Sequence, residues 1–127
     1  MSFEADLSAH LAADGTITAI TQDRIWPLIR DEGSDLPAIS HQVVTAMPAT
    51  DLDGDDTTLF NYRVQMDIWA YSYDAARTLA ELVRTRLKTP AATFSALSQP
   101  GGGGDDYEPE TKIFRVSMDF SMWYSAP

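Results

Sequence analysis

Two nearly identical seven-residue segments most constrain the fold of this chain: YRVQMDI, Tyr62–Ile68, and FRVSMDF, Phe114–Phe120. They lie 52 positions apart (115 − 63), and both alternate apolar with polar residues. Alternate residues of a strand share one face, so each segment predicts a strand with one core face and one polar face. Two copies are too few for a solenoid.

The charges in the two segments predict how the strands pair. Antiparallel pairing with residue numbers that sum to 182 places Arg63 opposite Asp119 and Asp67 opposite Arg115. Parallel pairing at equal register instead opposes Arg with Arg and Asp with Asp, which loses about 0.2–1 kcal/mol per pair. The sequence therefore predicts antiparallel neighbours, or two strands that use the same face for the same purpose.

The rest of the chain alternates helical and strand patterns within one predicted domain, residues 1–127. Ser2 to about Ala13 and Tyr73–Lys88 have apolar residues at helical spacing, and Ser72 is placed to cap the second helix. The run 14–37 reads as irregular, and polar connections predict flexible loops at about 48–58 and 98–110. The fold class is α+β, with a mainly antiparallel sheet of about four strands and two helices on one face. The predicted strands are 38–47, 60–72, 92–97 and 112–124.

Composition excludes several classes of function. The formal charge is −10, from 19 acidic and 9 basic residues, which disfavours tight DNA binding and is compatible with a surface that DNA passes without adhering. The chain has no cysteine, so it has no disulfide and no thiolate site. No apolar run approaches the length of a membrane span, and no secretory leader is evident, so assembly in a cytoplasm is expected.

The candidate chemical sites are weak, and we predict no catalytic, cofactor or metal site. His10 and His41 are the only histidines, and neither has a second ligand at suitable spacing. The acidic run Asp51–Asp56 has its glycine at the fourth position rather than the sixth, so it predicts a turn, with weak divalent-ion binding between subunits as an alternative. The run Gly101–Gly104 lacks the lysine of a phosphate loop.

The polar faces of the twin strands provide the best candidate interface. Each face ends in aromatic residues, which are typical of protein–protein contacts near arginine but can equally pack under a loop. Acidic residues of the two predicted loops are included because such loops can become ordered against a neighbour. The candidate interface residues are Arg63, Asp67, Trp69, Tyr71, Arg115, Asp119, Trp123, Asp53, Asp55, Asp56, Asp105 and Asp106.

The chain resembles a known family, the small tail-completion or tail-terminator proteins of long-tailed bacteriophages, prophages and gene transfer agents. The resemblance extends over most of the sequence and is most specific in DIWAYSYDAARTLAELVR and in the closing YEPET and FRVSMDFSMW. It also rests on FEADLSAHLAADGTITAI, RIWPLI and LPAISHQVV.

The resemblance implies a structural virion protein rather than an enzyme. Such a protein is an α+β domain that forms a ring, commonly hexameric, on the head-proximal end of the tail tube. The ring joins the tube protein to the head–tail connector protein, and DNA passes through it without specific binding. Alternatives are a head-side stopper, a tail-tube subunit, a monomeric regulator, or a small enzyme or ligand-binding domain.

Overall fold

The computed structural model describes residues 3–28, 35–50, 56–88, 94–98 and 104–125. These residues form three helices and six strands. In chain order the elements are α1 (Phe3–Ala12), α2 (Gly15–Thr21), β1 (Ile25–Pro27), β2 (Ala38–Thr50), β3 (Asp56–Ala70), α3 (Tyr73–Lys88), β4 (Phe94–Ser98), β5 (Gly104–Glu108) and β6 (Ile113–Ser125).

All six strands belong to one sheet, which runs in the order β1–β2–β3–β6–β4, with β5 also paired to β6. Only the short β1–β2 pairing is parallel among these strands. The prediction of an α+β fold with a mainly antiparallel sheet is therefore confirmed. The described residues contain two strands more than the four predicted, and one helix more than the two predicted.

The twin segments are antiparallel neighbours, as predicted, but the predicted register is wrong. The observed partners sum to 184, so Arg63 lies opposite Ser121, Gln65 opposite Asp119, and Trp69 opposite Arg115. A shift of two residues keeps every side chain on its predicted face. Cross-strand ion pairs contribute only about 0.2–1 kcal/mol each, too little to fix the register against core packing.

The two predicted helices are present because their sequence signals agree with one another. On α1, Phe3, Leu7 and Leu11 recur every four residues, and all three are buried. Helix α3 has the predicted bounds, and the Ser72 hydroxyl accepts a hydrogen bond from the Ala75 amide at 3.1 Å. The Ser2 end of the first predicted helix lies outside the described residues.

Three segments differ from the prediction. Helix α2 lies in a run that was predicted to be irregular; its sequence GTITAIT is rich in β-branched residues, and its start is stabilised by Asp14, which accepts a bond from the Thr16 amide at 2.9 Å. The loop predicted at 98–110 contains β5, so that prediction is wrong for residues 104–108. Within the loop predicted at 48–58, β2 continues to Thr50 and β3 begins at Asp56.

The core lies between the helices and one face of the sheet. Its strand side chains come from the even positions of β3 and β6, including Val64, Ile68, Phe120 and Tyr124, together with Ile39 of β2. Phe3 of α1 stacks on Tyr62 with ring centroids 3.9 Å apart and meets Tyr124 edge-on at 5.2 Å. The buried helical side chains belong to this same cluster, so the helices cover one face, as predicted.

His41 of β2 lies inside this core. Its side chain is 1% exposed, and its Nε2 lies 2.7 Å from the Ser8 hydroxyl of α1. Burial lowers the pKa of His41 to about 4, although Glu4 opposes the shift by raising it. The imidazole is therefore neutral at pH 7 and packs as a core side chain.

His41 should make the protein less stable in mild acid. The unfolded state takes up a proton near pH 6.5 and the folded state only near pH 4, so stability present above pH 6.5 is lost as the pH falls to 4. A separation of this size corresponds to roughly 3 kcal/mol. Urea unfolding, measured between pH 7.5 and 4, should show that the free energy of unfolding falls less for His41→Gln than for the wild type. His10→Gln is the control: burial and Arg86 also lower the pKa of this half-buried histidine, but the shift is smaller, so the acid loss should change less than for His41→Gln. Equal losses in wild type and His41→Gln would contradict the assignment.

Candidate assembly interface

The face of the sheet opposite the helices presents a polar and aromatic surface, which we call the outer face. It is formed by the odd-numbered side chains of β3 and β6, which point away from the helix-covered core. Its members are Arg63, Gln65, Asp67, Trp69, Arg115, Ser117, Asp119, Ser121 and Trp123. It contains six of the twelve predicted interface residues, and a seventh, Tyr71, follows β3 and is 62% exposed.

At one end of the outer face, Trp69 and Arg115 are held within the chain. The Trp69 indole donates a hydrogen bond to the buried Ser40 hydroxyl at 3.0 Å, and the Arg115 guanidinium lies 5.7 Å from the indole ring centroid. Arg115 also pairs with Asp106 of β5 at 3.4 Å. Both residues thus pack beside β5, and their role in an interface stays a prediction.

The middle of the outer face is polar and more open. Gln65 donates to both carboxylate oxygens of Asp67 at 3.2 and 3.1 Å, and Asp67 is only 8% exposed. Asp119 and Trp123 are half-buried. Arg63 is exposed, and among the described residues it has no ion pair or hydrogen bond through its guanidinium. Arg63 is thus the residue of this face with the most freedom to contact another molecule.

A second surface lies at the opposite side of the sheet, between α3 and β5. The Tyr73 hydroxyl donates to Asp105, which raises the pKa of Tyr73, and Arg77 lies 4.0 Å from the same carboxylate. The ring of Tyr107 lies 4.5 Å from that of Phe114. Beside these groups lies an open surface cavity of about 400 Å³, which we call the tyrosine pocket; it is lined by Tyr73, Asp105, Asp106, Tyr107 and Phe114.

The structure brings together some of the predicted acidic residues but not others. Asp105 and Asp106 are exposed on β5, and each faces a different side of the sheet. Asp53 and Asp55 lie outside the described residues, and Asp56 begins β3. The suggestion of a weak divalent site between subunits therefore stays a prediction.

The sequence did not predict that three aromatic side chains would meet in the tyrosine pocket. Tyr73 begins a helix, Phe114 belongs to the core side of β6, and Tyr107 was assigned to a loop. Only the pairing of β5 with β6 brings the three rings together. The available signal was the stretch GDDYE, which combines an aromatic residue with three acids.

Two further kinds of feature, metal-binding clusters and membrane-spanning helices, are absent from the part of the chain that the structure describes. No group of three or more His, Asp or Glu side chains in this part of the chain is placed to hold a metal ion. No helix within the same residues is long and apolar enough to cross a membrane.

Comparison with known proteins gives a family match and a structural match. The family model described as "Tail completion protein gp17" matches residues 5–125. A chain of the solved structure "Virion of native gene transfer agent (GTA) particle" superposes with a TM-score of 0.75 at 13% identity, covering 98% of this chain and 96% of that chain. At this identity the superposition establishes a shared fold. Comparison with curated proteins found no match.

The bonding of Trp69 predicts that it contributes more stability than Trp123, which is also half-buried on the outer face. Trp69→Phe removes the donor to buried Ser40 and weakens the contact with Arg115. The free energy of unfolding should fall by about 1–2 kcal/mol more for Trp69→Phe than for the control Trp123→Phe. Urea unfolding at pH 7 measures both. Equal changes would show that the Ser40 bond and the Arg115 contact add nothing.

Proposed function

Because this chain belongs to the tail completion protein family and is thus a structural protein of the phage tail, we propose that it terminates the tail tube. In this role several copies form a closed ring, commonly hexameric in the family, on the head-proximal end of the tube. The ring stops tube growth and joins the tube protein to the head–tail connector protein. The match of the family model to residues 5–125 is the observation that carries the proposal.

The geometry of the chain supports a ring. A closed ring is built from a heterologous contact, in which one surface of each copy meets a different surface of the next. The chain offers two such surfaces, the outer face with Arg63 and the tyrosine pocket beside β5. They differ in charge, since the free cation of the first is on Arg63 and the carboxylate of the second is on Asp105.

The charge of the chain supports a channel that DNA passes without binding. Tight binding to phosphates requires clustered lysine and arginine, which release counterions from the DNA. Here the formal charge is −10, and all five residues of the acidic strand β5 are exposed. A ring of such subunits repels DNA along its surface, so the genome would move through the opening without specific contacts.

The oligomeric state tests this proposal. Light scattering behind a sizing column gives the mass of the protein alone and after mixing with the tail-tube protein of the same particle. A ring of about six copies has a mass near 84 kDa (6 × 14.0 kDa). Negative-stain images of tubes should then show one ring at one end of each tube and no further growth there.

The same experiment separates the rival roles. A tube subunit would polymerise into long tubes without a stop. A head-side stopper would bind the isolated connector and ignore tube ends. A protein that stays monomeric with both partners would overturn the proposal.

A further inference from the structure

The tyrosine pocket has the chemistry of a receptor for a cationic side chain. The flat rings of Tyr73, Tyr107 and Phe114 line it, and aromatic faces attract cations. The Asp105 carboxylate lies on the face of β5 that also carries Tyr107, so it is the carboxylate of the pocket, whereas the Asp106 carboxylate lies on the outer face and pairs with Arg115. A planar guanidinium fits such a site best, because it stacks on a ring while it donates several hydrogen bonds to carboxylates.

The Asp105 carboxylate retains capacity for a further donor. One of its oxygens accepts a hydrogen bond from the Tyr73 hydroxyl, and Arg77 lies 4.0 Å from the other. Arg77 does not line the cavity. An ionised carboxylate accepts about four hydrogen bonds, and a further guanidinium would therefore find acceptors in the pocket.

Of the arginines that the structure describes, Arg63 suits the pocket best, because it is exposed and unpaired within these residues. The other described arginines hold partners within the chain: Arg24 with Pro37, Arg77 and Arg84 with Glu81, Arg86 with His10, and Arg115 with Asp106. Arg63 is thus a free cation on a central strand of a chain with charge −10, and it is available to bind a carboxylate.

Arg63 cannot reach the tyrosine pocket of its own chain. It lies opposite Ser121, seven residues along β6 from Phe114 (121 − 114), which is about 23 Å at the rise of a strand. It also points to the outer face, whereas Phe114 and Tyr107 lie on the face covered by the helices. Contact between the two groups therefore requires a second copy.

We propose that Arg63 of one copy inserts into the tyrosine pocket of the next copy around the ring, with its guanidinium against Tyr107 and Asp105. The inference rests on the proposed ring and identifies the two surfaces that form it. The contact joins two different surfaces, so repetition of it closes a ring or extends a helix and does not stop at a dimer.

Charge exchange tests the contact. Arg63→Glu and Asp105→Lys should each raise the protein concentration needed for ring formation at least tenfold, because each opposes like charges. Mixing the two variants should restore rings, since every interface in an alternating ring then pairs unlike charges. Lys88→Glu makes the same change of charge at the exposed end of α3 and should leave assembly unchanged.

Cysteine crosslinking tests the geometry. The chain has no cysteine, so the double variant Arg63→Cys, Tyr107→Cys introduces the only two thiols. Mild oxidation of rings assembled on tube ends should give a ladder of covalent oligomers up to the ring number. The pair Lys88→Cys, Tyr107→Cys, oxidised in the same way, should remain monomeric on a denaturing gel.

The outcomes separate this inference from the proposed function. If the wild-type chain forms no ring on tube ends, the proposed function fails and the contact fails with it. If rings form but Arg63→Glu assembles like the wild type, the function stands and the contact is wrong. If Arg63→Glu forms normal rings that no longer bind to tube ends, then Arg63 contacts the tube protein and not the next copy. That result also overturns the inference.

Discussion

The antiparallel ladder between β3 and β6 is the contact on which the rest of the structure depends. It runs without a break from the pair Leu59–Ser125 to the pair Ala70–Phe114. One of its faces supplies the strand side of the core, and the other supplies the outer face. A slip of one residue would exchange these faces and expose the core, so burial fixes which side each residue takes. A slip of two residues keeps the faces, and the exact register therefore depends on finer packing.

Both candidate surfaces also depend on the pairing of β5 with the outer edge of β6. Strand β5 pairs with the first half of β6, which places Asp106 beside Arg115 on the outer face. The same pairing places Tyr107 beside Phe114 on the opposite face. A short exposed strand thus stabilises the packing of Trp69 on one side of the sheet and forms the tyrosine pocket on the other.

Sequence patterns were sufficient where local signals agreed, and insufficient where tertiary pairing decided the structure. Helix α3 has a cap, an apolar stripe and paired charges, and its bounds were predicted correctly. Helix α2 was missed because Thr and Ile favour strands in isolation. Strand β5 was missed because glycine and aspartate are rare in strands, and it exists through its pairing with β6.

The same distinction applies to the candidate interface. Period-two alternation was enough to identify the outer-face residues, because alternation alone decides the face of a strand. It could not show that Trp69 and Arg115 are engaged within the chain while Arg63 is free. In the predicted register, Arg63 would have formed an ion pair with Asp119 of the same chain. The observed register opposes Arg63 with Ser121, which leaves the arginine unpaired.

The charge pattern then favours a ring over a symmetric dimer. In a two-fold dimer each surface meets a copy of itself. Two tyrosine pockets brought together would oppose the carboxylate of Asp105 with its equivalent, and two outer faces would oppose Arg63 with Arg63. Like-charge contacts of this kind cost several kcal/mol and exclude wrong partners. The proposed head-to-tail contact would instead pair the free cation of one copy with the carboxylate of the next, so the same two charges would favour a ring and disfavour a symmetric dimer.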